Sequence, residues 1–472
     1  MTTLQQAWLP DLIYADGRFQ RDLALVCDDT GVITHLSPAG AVENPVRLRN
    51  RALLPGLVNA HSHAFQRVIR GRTEHRTENQ RDTFWTWREM MYSAATRLTP
   101  EDIYDASRMA FLEMVLGGIT AVGEFHYLHH APDGSAYDDP NLIAKEVVRA
   151  ANDVGLRIAL MRVAYGRSGF ETEANPRQAR FIEKDPQKYL KHVEELSSHL
   201  AETTQGRAGC PRSRWVGLAP HSVRAVPLDY LKEVVRYGNE KQLPVHMHVA
   251  EQTAEVSACI HEYGRSPVAL LSTEGLFSER FTAVHAIHVT AKAIGSIAEA
   301  RAMVCACPTT ERNLGDGVVP ADLLFDKGVR LALGTDSHAQ IDLLEDAREL
   351  EYHLRLQKTE RAVLAPVDDG SVSALARRLF ECATTNGAES IGAPAGTFEP
   401  GQAADFFTVD LDDPSIAGAR DEDLLSSIVF TQSRSAVRDV VIGGRRVVED
   451  GRHAAQGEVV ERFRSLQKKL WG

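Results

Sequence analysis

Eight short apolar segments alternate with longer amphipathic segments through the middle of this chain. Continuous apolar strands followed by helices are typical of parallel strands that are buried on both faces, and eight is the number that closes a (β/α)8 barrel. We therefore predict an α/β fold built on a TIM-like barrel. A doubly wound open sheet is the alternative, but no G-x-G-x-x-G follows the first segment. The segments are ALLPGLVNA, ITAVGEF, RIALMRVAY, WVGLAPHS, LPVHMHVAE, FTAVHAIHV, AMVCACP and VRLALGTDS.

The two ends of the chain have a similar sequence pattern, which differs from that of the middle. Short alternating segments with Asp-Gly and Thr-Gly turns occupy residues 1–53, and Gly-rich β texture returns over residues 394–472, after LFECATTNGAESIG, which we predict to be a helix. We predict that both ends form one small β-sandwich domain. The barrel, residues 54–393, would be inserted between its halves.

Bulk properties exclude several classes of protein. The net charge is −11, which disfavours a nucleic-acid surface. No run approaches the roughly 18 apolar residues of a membrane helix, and the first residues lack the features of a secretory signal. The scattered cysteines form no C-x-x-C motif and suit reduced core thiols in a reducing cytosol. They are Cys27, Cys210, Cys259, Cys305, Cys307 and Cys382. We expect a cytoplasmic protein with no nucleic-acid or membrane partner.

Histidines and carboxylates follow four of the predicted strands. In a barrel the carboxyl ends of all strands converge on one face, where catalytic residues lie. Side chains two residues apart on a strand also point the same way. These residues are therefore expected to form one cluster rather than to be scattered. They are His61 and His63 after the first strand, His246, His248 and Glu251 after the fifth, His285 and His288 after the sixth, and Asp336 and His338 after the eighth.

The residue types point to metal-assisted hydrolysis. Neutral imidazole and carboxylate suit a divalent first-row metal such as Zn²⁺, and a catalytic site keeps one position for water. The metal would lower the pKa of that water. A nearby carboxylate can then carry protons, and Glu251 is placed for this role three residues after His248.

The motifs in this order resemble those of the amidohydrolase superfamily over nearly the whole chain. The matching stretches are PGLVNAHSH, the His-x-x-Glu of the fifth strand, the histidine of the sixth, GTDS of the eighth and GTFEPGQAADFFTVD. The His-x-x-Glu resembles the deaminase branch in particular.

This resemblance implies roles for single residues. The implied metal ligands are His61, His63, His248 and Asp336. Glu251 would be the proton shuttle, His285 would orient or help to deprotonate the water, and Asp336 would belong to the same catalytic cluster. We expect a structural role for His246, and positions on the rim of the site for His288 and His338.

Two-metal members of the superfamily use a bridging carboxylated lysine on a middle strand. RIALMRVAY and WVGLAPHS contain no lysine. We therefore predict one divalent metal ion, most simply zinc, although this set of ligands also accepts iron and other divalent ions.

Four further stretches, HSHAFQRVIRG, DTFWTWREMMY, GEFHYLHH and LAPHSVRAV, resemble the enzymes that deiminate N-formimino-L-glutamate in one branch of histidine degradation. The resemblance implies hydrolysis to N-formyl-L-glutamate and ammonia, and a homodimer. A dicarboxylate substrate needs planar, bidentate donors, which means arginine. Arg88 and Arg224 are the candidates, and Gln66, Tyr127 and His221 are expected to orient the substrate. We expect Trp85 and Trp87 to serve in packing.

Three other functions remain open from the sequence. An aminohydrolase of a purine, pyrimidine or triazine ring would have the same metal site and would differ only in the residues that bind the substrate. A catalytically inactive metal-binding scaffold would have no need for Glu251 and His285. An enzyme that splits the same substrate into glutamate and formamide would differ only in its products.

Overall fold

The computed structural model of the chain describes residues 5–78, 82–202, 212–367 and 369–472. Its strands, β1 to β17 in chain order, are Gln6–Ala15, Arg18–Gln20, Leu23–Cys27, Ile33–Pro38, Val46–Pro55, Leu57–Ser62, Ile119–His126, Arg157–Ala164, Arg214–Pro220, Val245–Val249, Phe281–His285, Met303–Ala306, Leu331–Leu333, Phe406–Asp410, Val437–Ile442, Arg445–Glu449 and Arg452–His453. Its α-helices, α1 to α15, are Phe84–Ala95, Pro100–Leu116, Leu142–Val154, Pro186–Glu202, Leu228–Lys241, Thr253–Tyr263, Pro267–Thr273, Ala291–Glu299, Pro308–Leu314, Ala321–Asp326, Leu343–Lys358, Ala374–Cys382, Thr385–Ile391, Leu424–Thr431 and Gln456–Trp471. Among these helices none has both the length and the hydropathy needed to cross a bilayer.

The eight strands β6 to β13 form a parallel sheet in sequence order. A bridge between Ser62 and Asp336 joins its two ends. The amide of Asp336 donates to the carbonyl of His61, and the amide of His63 donates to the carbonyl of Asp336, each at 3.0 Å. The barrel therefore closes through the backbone of the residues that the sequence marks as a metal site.

Gly334 makes this closure possible. A Cβ atom on Gly334 would lie 2.7 Å from Cβ of His61 and 2.8 Å from its carbonyl oxygen. Real Cβ atoms do not approach other atoms so closely, so only glycine lets the end of β13 lie against β6. The glycine of GTDS thus places Asp336 beside His61.

A nine-stranded sheet from both ends of the chain forms the second domain. Strand β14 pairs antiparallel with β5, with Phe406 opposite Pro55 and Asp410 opposite Arg51. On its inner side the ring of Trp8 packs edge-on against Phe406, 5.3 Å between centroids. The prediction of a TIM-like barrel with a β-sandwich domain made from both ends of the chain is confirmed.

The prediction of a single helix for LFECATTNGAESIG is wrong, because this segment forms two helices. It is divided into α12 and α13 at Thr384, whose φ of −129° and ψ of −91° are not helical. The Thr384 hydroxyl donates to the carbonyl of Phe380 and ends α12. The break lets α13 pack against β6, where a Cβ on Gly387 would lie 2.6 Å from the Val58 carbonyl oxygen.

Candidate active site

Four buried side chains converge where the barrel closes. One ligand atom from each of His61, His63, His248 and Asp336 lies within 4.8 Å of the others. Nε2 of His61 and Nε2 of His63 are 3.2 Å apart. An oxygen of Asp336 lies 3.1 Å from Nε2 of His63 and 3.4 Å from Nε2 of His61. The structure therefore brings together the four predicted ligands from three separate strands.

Backbone carbonyls fix how two of these rings are presented. Nδ1–H of His63 donates to the carbonyl of Phe125 at 2.9 Å, and Nδ1–H of His248 donates to the carbonyl of His221 at 3.1 Å. With Nδ1 protonated, the Nε2 lone pair of each ring faces the centre of the group. Several lone pairs that face one another repel unless a cation lies between them.

The charge state of the group also fits a metal. Burial lowers the pKa of His61 to about 3 and that of His248 well below its usual value, so both rings are neutral at pH 7. Burial opposes ionisation of Asp336, but the adjacent rings of His61 and His63 hold the pKa of its carboxyl well below the usual range. Neutral imidazoles and one carboxylate make a suitable donor set for a divalent ion.

Strained backbone occurs at three strand ends around this site. Ala250, His285 and Asp336 all have positive φ, at 53°, 71° and 42°. The left-handed region costs a non-glycine residue on the order of 1 kcal/mol or more and persists only where the surrounding structure enforces it. These turns at the ends of three strands direct side chains into the site.

Glu251 and His285 form an acid–base pair beside the metal group. Nε2 of His285 lies 3.8 Å from a carboxylate oxygen of Glu251 and 3.8 Å from one of Asp336. Burial raises the pKa of Glu251. Burial opposes protonation of His285, but the carboxylates of Glu251, Glu311 and Asp336 hold the pKa of His285 well above its usual value. The pair can therefore hold and pass a proton next to the metal group.

A second set of potential ligands adjoins this pair. His285, Cys307 and Glu311 also have ligand atoms within 4.8 Å of one another. One oxygen of Glu311 accepts from Nδ1–H of His285 at 3.2 Å and from the amide of Cys307 at 2.9 Å. Burial raises the pKa of Cys307, so its thiol stays protonated. Five cysteines are free and buried, and Cys210 lies outside the described residues.

The residues predicted to bind substrate line one pocket together with the metal group. Gln66 donates from Nε2 to the hydroxyl of Tyr127 at 2.8 Å, and its buried Oε1 has no hydrogen-bond partner. The ring of His221 lies 4.9 Å from that of His248 and 5.9 Å from that of Tyr127, between centroids. Arg88 and Arg224 complete this set of five.

Two guanidinium groups on the pocket wall form no salt bridge with the described residues, although Glu251 and Glu255 lie near enough to Arg224 to interact with its charge. Within the described part of the chain, neither Arg88 nor Arg224 hydrogen bonds through its side chain or forms a salt bridge, although Nε of Arg88 and Nη1 of Arg224 are buried. The Arg88 guanidinium lies over the ring of Trp85, 4.3 Å from its centroid. Buried donors without partners are costly, so these atoms are available to donate to an acceptor in the pocket.

The three other histidines that the sequence analysis singled out differ in how deeply they are buried. His246 is buried, and its Nε2 hydrogen bonds with the carbonyl of Ser390 in α13. His288 is half-buried and contacts the carbonyl of Asp316. The rim position predicted for His338 is wrong, because its ring is fully buried.

The turn after β13 explains the burial of His338. The amide of His338 donates to the carbonyl of Thr335, and φ at His338 is 59°, so the chain folds back at this point. Its Nε2 lies 2.9 Å from Oγ of Ser62, which in turn donates to Glu124.

Several pocket residues were not identified from the sequence. Trp87, which we expected only to pack, lines the pocket. The others have ordinary apolar or aromatic contexts that give no signal of a site. They are Phe84, Met91, Tyr92, Tyr165, Phe181 and Leu314.

Known proteins resemble this chain along almost its whole length. A model of the amidohydrolase family matches residues 52–447. The formimidoylglutamate deiminase of Pseudomonas aeruginosa is 37% identical over 434 residues, 92% of each chain. The 5-methylthioadenosine/S-adenosylhomocysteine deaminase of Syntrophomonas wolfei is 29% identical and covers 93% of this chain and 91% of its own. The crystal structure of an amidohydrolase from Brucella melitensis is 32% identical with a TM-score of 0.89, over 99% of this chain and 100% of that one.

Proposed function

The chain belongs to the amidohydrolase family, and we propose that it hydrolyses N-formimino-L-glutamate to N-formyl-L-glutamate and ammonia, a step of histidine degradation. A metal-dependent deaminase fits the His/Asp group and the adjacent acid–base pair. The choice of substrate rests on the pocket and on similarity to a formimidoylglutamate deiminase.

The observation that carries the choice of substrate is the pair of guanidinium groups that form no salt bridge within the described part of the chain. Arg88 and Arg224 lie on the wall of the same pocket as Glu251 and the metal group. N-formimino-L-glutamate has two carboxylates, and arginine is the side chain best suited to bind them in a planar, bidentate way. Gln66, Tyr127 and His221 would orient the bound substrate.

We propose a single metal ion, zinc, held by His61, His63, His248 and Asp336. The ligand atoms of these residues fit one cation. Strands β8 and β9 contain no lysine that could bridge a second ion. When bound, the metal would supply a water of lowered pKa near neutral pH.

The protein groups would then move two protons. The Glu251 carboxylate takes a proton from the attacking water as its oxygen bonds to the formimino carbon. Glu251 passes that proton to the terminal nitrogen. The Glu251–His285 pair then takes the second proton from the added hydroxyl and delivers it to the same nitrogen, which leaves as ammonia when the C–N bond breaks and the formyl C=O bond forms. His285, protonated and held by Glu311, donates a hydrogen bond from Nε2 toward this exchange. The glutamate nitrogen keeps the formyl group.

The competing function is deamination of a ring, for which the similar 5-methylthioadenosine/S-adenosylhomocysteine deaminase of Syntrophomonas wolfei is named. A neutral base would leave both guanidinium groups without a carboxylate partner, and S-adenosylhomocysteine has only one carboxylate for the two of them, which disfavours this alternative. The remaining rivals are an inactive scaffold and cleavage to glutamate and formamide.

Ammonia release from N-formimino-L-glutamate by zinc-loaded enzyme tests the proposal, with adenosine, S-adenosylhomocysteine and cytosine alongside. We expect rapid release with N-formyl-L-glutamate as the product. Activity only on adenosine, S-adenosylhomocysteine or cytosine would refute N-formimino-L-glutamate as the substrate. Formamide as the product would show that the other C–N bond is cleaved. An absence of turnover with every substrate would favour an inactive metal-binding scaffold.

We also propose a cytoplasmic homodimer whose only other partner is the small dicarboxylate substrate, with no nucleic-acid or membrane partner. The free, buried cysteines support a reducing compartment. Sedimentation of the purified protein at micromolar concentration tests the dimer, and a monomeric mass would refute it.

A further inference from the structure

A buried glutamine behind the pocket joins two tyrosines that line it. Gln178 ends a short 3-10 helix, Pro176–Gln178, between β8 and α4, and is only 1% exposed. Its Nε2 lies 2.8 Å from the hydroxyl oxygen of Tyr92 and 2.6 Å from that of Tyr165. Both tyrosines line the pocket, whereas Gln178 lies behind them.

The valence of the amide determines where the hydroxyl hydrogens point. An amide nitrogen carries two hydrogens and accepts none, so Gln178 donates one to each phenol oxygen. Each hydroxyl must then donate its own hydrogen elsewhere. No described residue accepts a hydrogen bond from Tyr92 or Tyr165. The hydrogens are therefore left to face the pocket.

The side chains next to Tyr92 and Tyr165 make this part of the pocket wall a surface of hydrogen-bond donors. The Arg88 guanidinium lies 5.4 Å from the ring centroid of Tyr92. Arg224 lines the same pocket and interacts electrostatically with both tyrosines. Two guanidinium groups and two hydroxyl hydrogens therefore offer only donors to a ligand. A carboxylate accepts from all of them, whereas a carboxamide would bring an NH₂ group that finds no acceptor.

We propose that Gln178 is a positioning residue that commits the hydroxyls of Tyr92 and Tyr165 to donate into the pocket, and so makes this wall selective for a carboxylate over a carboxamide. The inference deepens the proposed function and rests on it only in requiring a carboxylate ligand. It adds to Arg88 and Arg224 two contacts that the sequence did not indicate.

Binding of glutarate to zinc-loaded enzyme, measured by calorimetry, tests the inference without turnover. In Gln178→Glu the carboxylate only accepts, so both hydroxyls turn toward it and away from the ligand. We expect glutarate to bind at least about tenfold more weakly, since a hydrogen bond to a charged group is worth about 1.5–3 kcal/mol. Gln432→Glu, at a buried glutamine outside the pocket, is the matched control and should bind normally.

A double-mutant cycle separates this mechanism from a simple effect of charge. In a Tyr92→Phe/Tyr165→Phe background, Gln178→Glu should weaken glutarate binding little further. An equal loss in that background would show that the new charge acts directly on the arginines and would overturn the inference. So would normal binding by Gln178→Glu alone, because the hydroxyls would then already donate to residue 178.

A neutral variant covers the case in which Gln178→Glu does not fold. In Gln178→Met the hydroxyls can rotate and accept, so the preference for glutarate over its monoamide should fall by about tenfold. An unchanged preference, or no binding of glutarate by the wild type, would refute the inference. Turnover of N-formimino-L-glutamate is measured in a separate assay. Failure of the proposed function can therefore be distinguished from failure of this inference.

Discussion

Nδ1 of His285 lies 3.2 Å from a carboxylate oxygen of Glu311, which turns Nε2 of the same ring toward Glu251 and Asp336. The amide of Cys307 donates to the same oxygen and fixes the carboxylate in place. Glu311 thus determines both the orientation and the charge of His285, although it does not line the pocket.

Glu311→Gln should lower kcat by roughly 10- to 100-fold, the usual cost when a carboxylate that orients an imidazole at a metal site is lost. The pKa of His285 should also fall, because one of the charges that raise it is removed. The pH profile of kcat would then move to lower pH at unchanged metal content. Glu360→Gln, on the surface, is the control. A wild-type rate and profile would contradict the role of Glu311.

Glu251→Gln should leave the metal and glutarate bound but lower kcat by about 10²–10⁴-fold, the range for loss of a general acid–base group. Steady-state kinetics with metal analysis checks this. Glu240→Gln, on an exposed face of α5, should behave as wild type. A variant that kept near-full rate would show that another group carries the proton.

Arg224→Met and Arg88→Met should each raise KM for N-formimino-L-glutamate by roughly 10- to 150-fold, which corresponds to the 1.5–3 kcal/mol of a charge-assisted hydrogen bond. Substitution by lysine should recover only part of this loss, because it lacks the planar fork. Arg236→Met, exposed on α5, serves as the control. Unchanged KM in both methionine variants would remove the arginines from the substrate site.

Removal of the metal by a chelator at pH 7 should abolish activity and lower the free energy of unfolding. The loss is about 3 kcal/mol relative to enzyme with free metal ~100-fold above its Kd. Zinc should restore both properties, whereas magnesium should not, since it prefers oxygen ligands. His63→Asn should reduce the metal content, and His288→Asn should retain it. Equal loss in the two variants would contradict the ligand assignment.

A partly buried ion cluster between α2 and the turn after His63 should give stability that depends on pH. Glu113 accepts from Arg67 and Arg70, at 2.5 and 2.7 Å. Burial opposes ionisation of Glu113, but Arg70 and Arg67 hold its pKa below the usual value. A lowered pKa in the folded state contributes stability above the unfolded pKa of about 4.3, and this is lost as the pH falls through the folded value.

Glu113→Gln should therefore destabilise the fold by about 1–3 kcal/mol at pH 7, because two partly buried guanidinium groups lose their charged partner. The difference from wild type should shrink as the pH falls below about 4. Denaturant unfolding at several pH values measures it. Glu458→Gln, whose carboxylate is mostly exposed opposite Arg108, should destabilise the fold much less. A loss independent of pH would argue against the charge as the cause.

The barrel could be predicted from the sequence because its signal is local. Each barrel strand packs against helices on one face and the barrel interior on the other, so it is buried along its length, as Ile119–His126 is, and the count of such mostly apolar segments gives the number of strands. The four predicted ligands could be placed together for a related reason. Once the strands are parallel and closed, their carboxyl ends share one face, so His61, His248 and Asp336 must be neighbours.

Some contacts were decided by the tertiary structure alone. They join residues that are distant in sequence, and no periodic pattern in the sequence indicates them. The burial of His338 depends on a single turn with positive φ. The contact of Glu311 with His285 and the contacts of Gln178 with Tyr92 and Tyr165 join separate loops. The sequence by itself determined which strands form the barrel and which residue types stand at their ends, because burial and periodicity act along the chain. The partners of each polar atom were decided by how the loops pack, because hydrogen bonds depend on position in space.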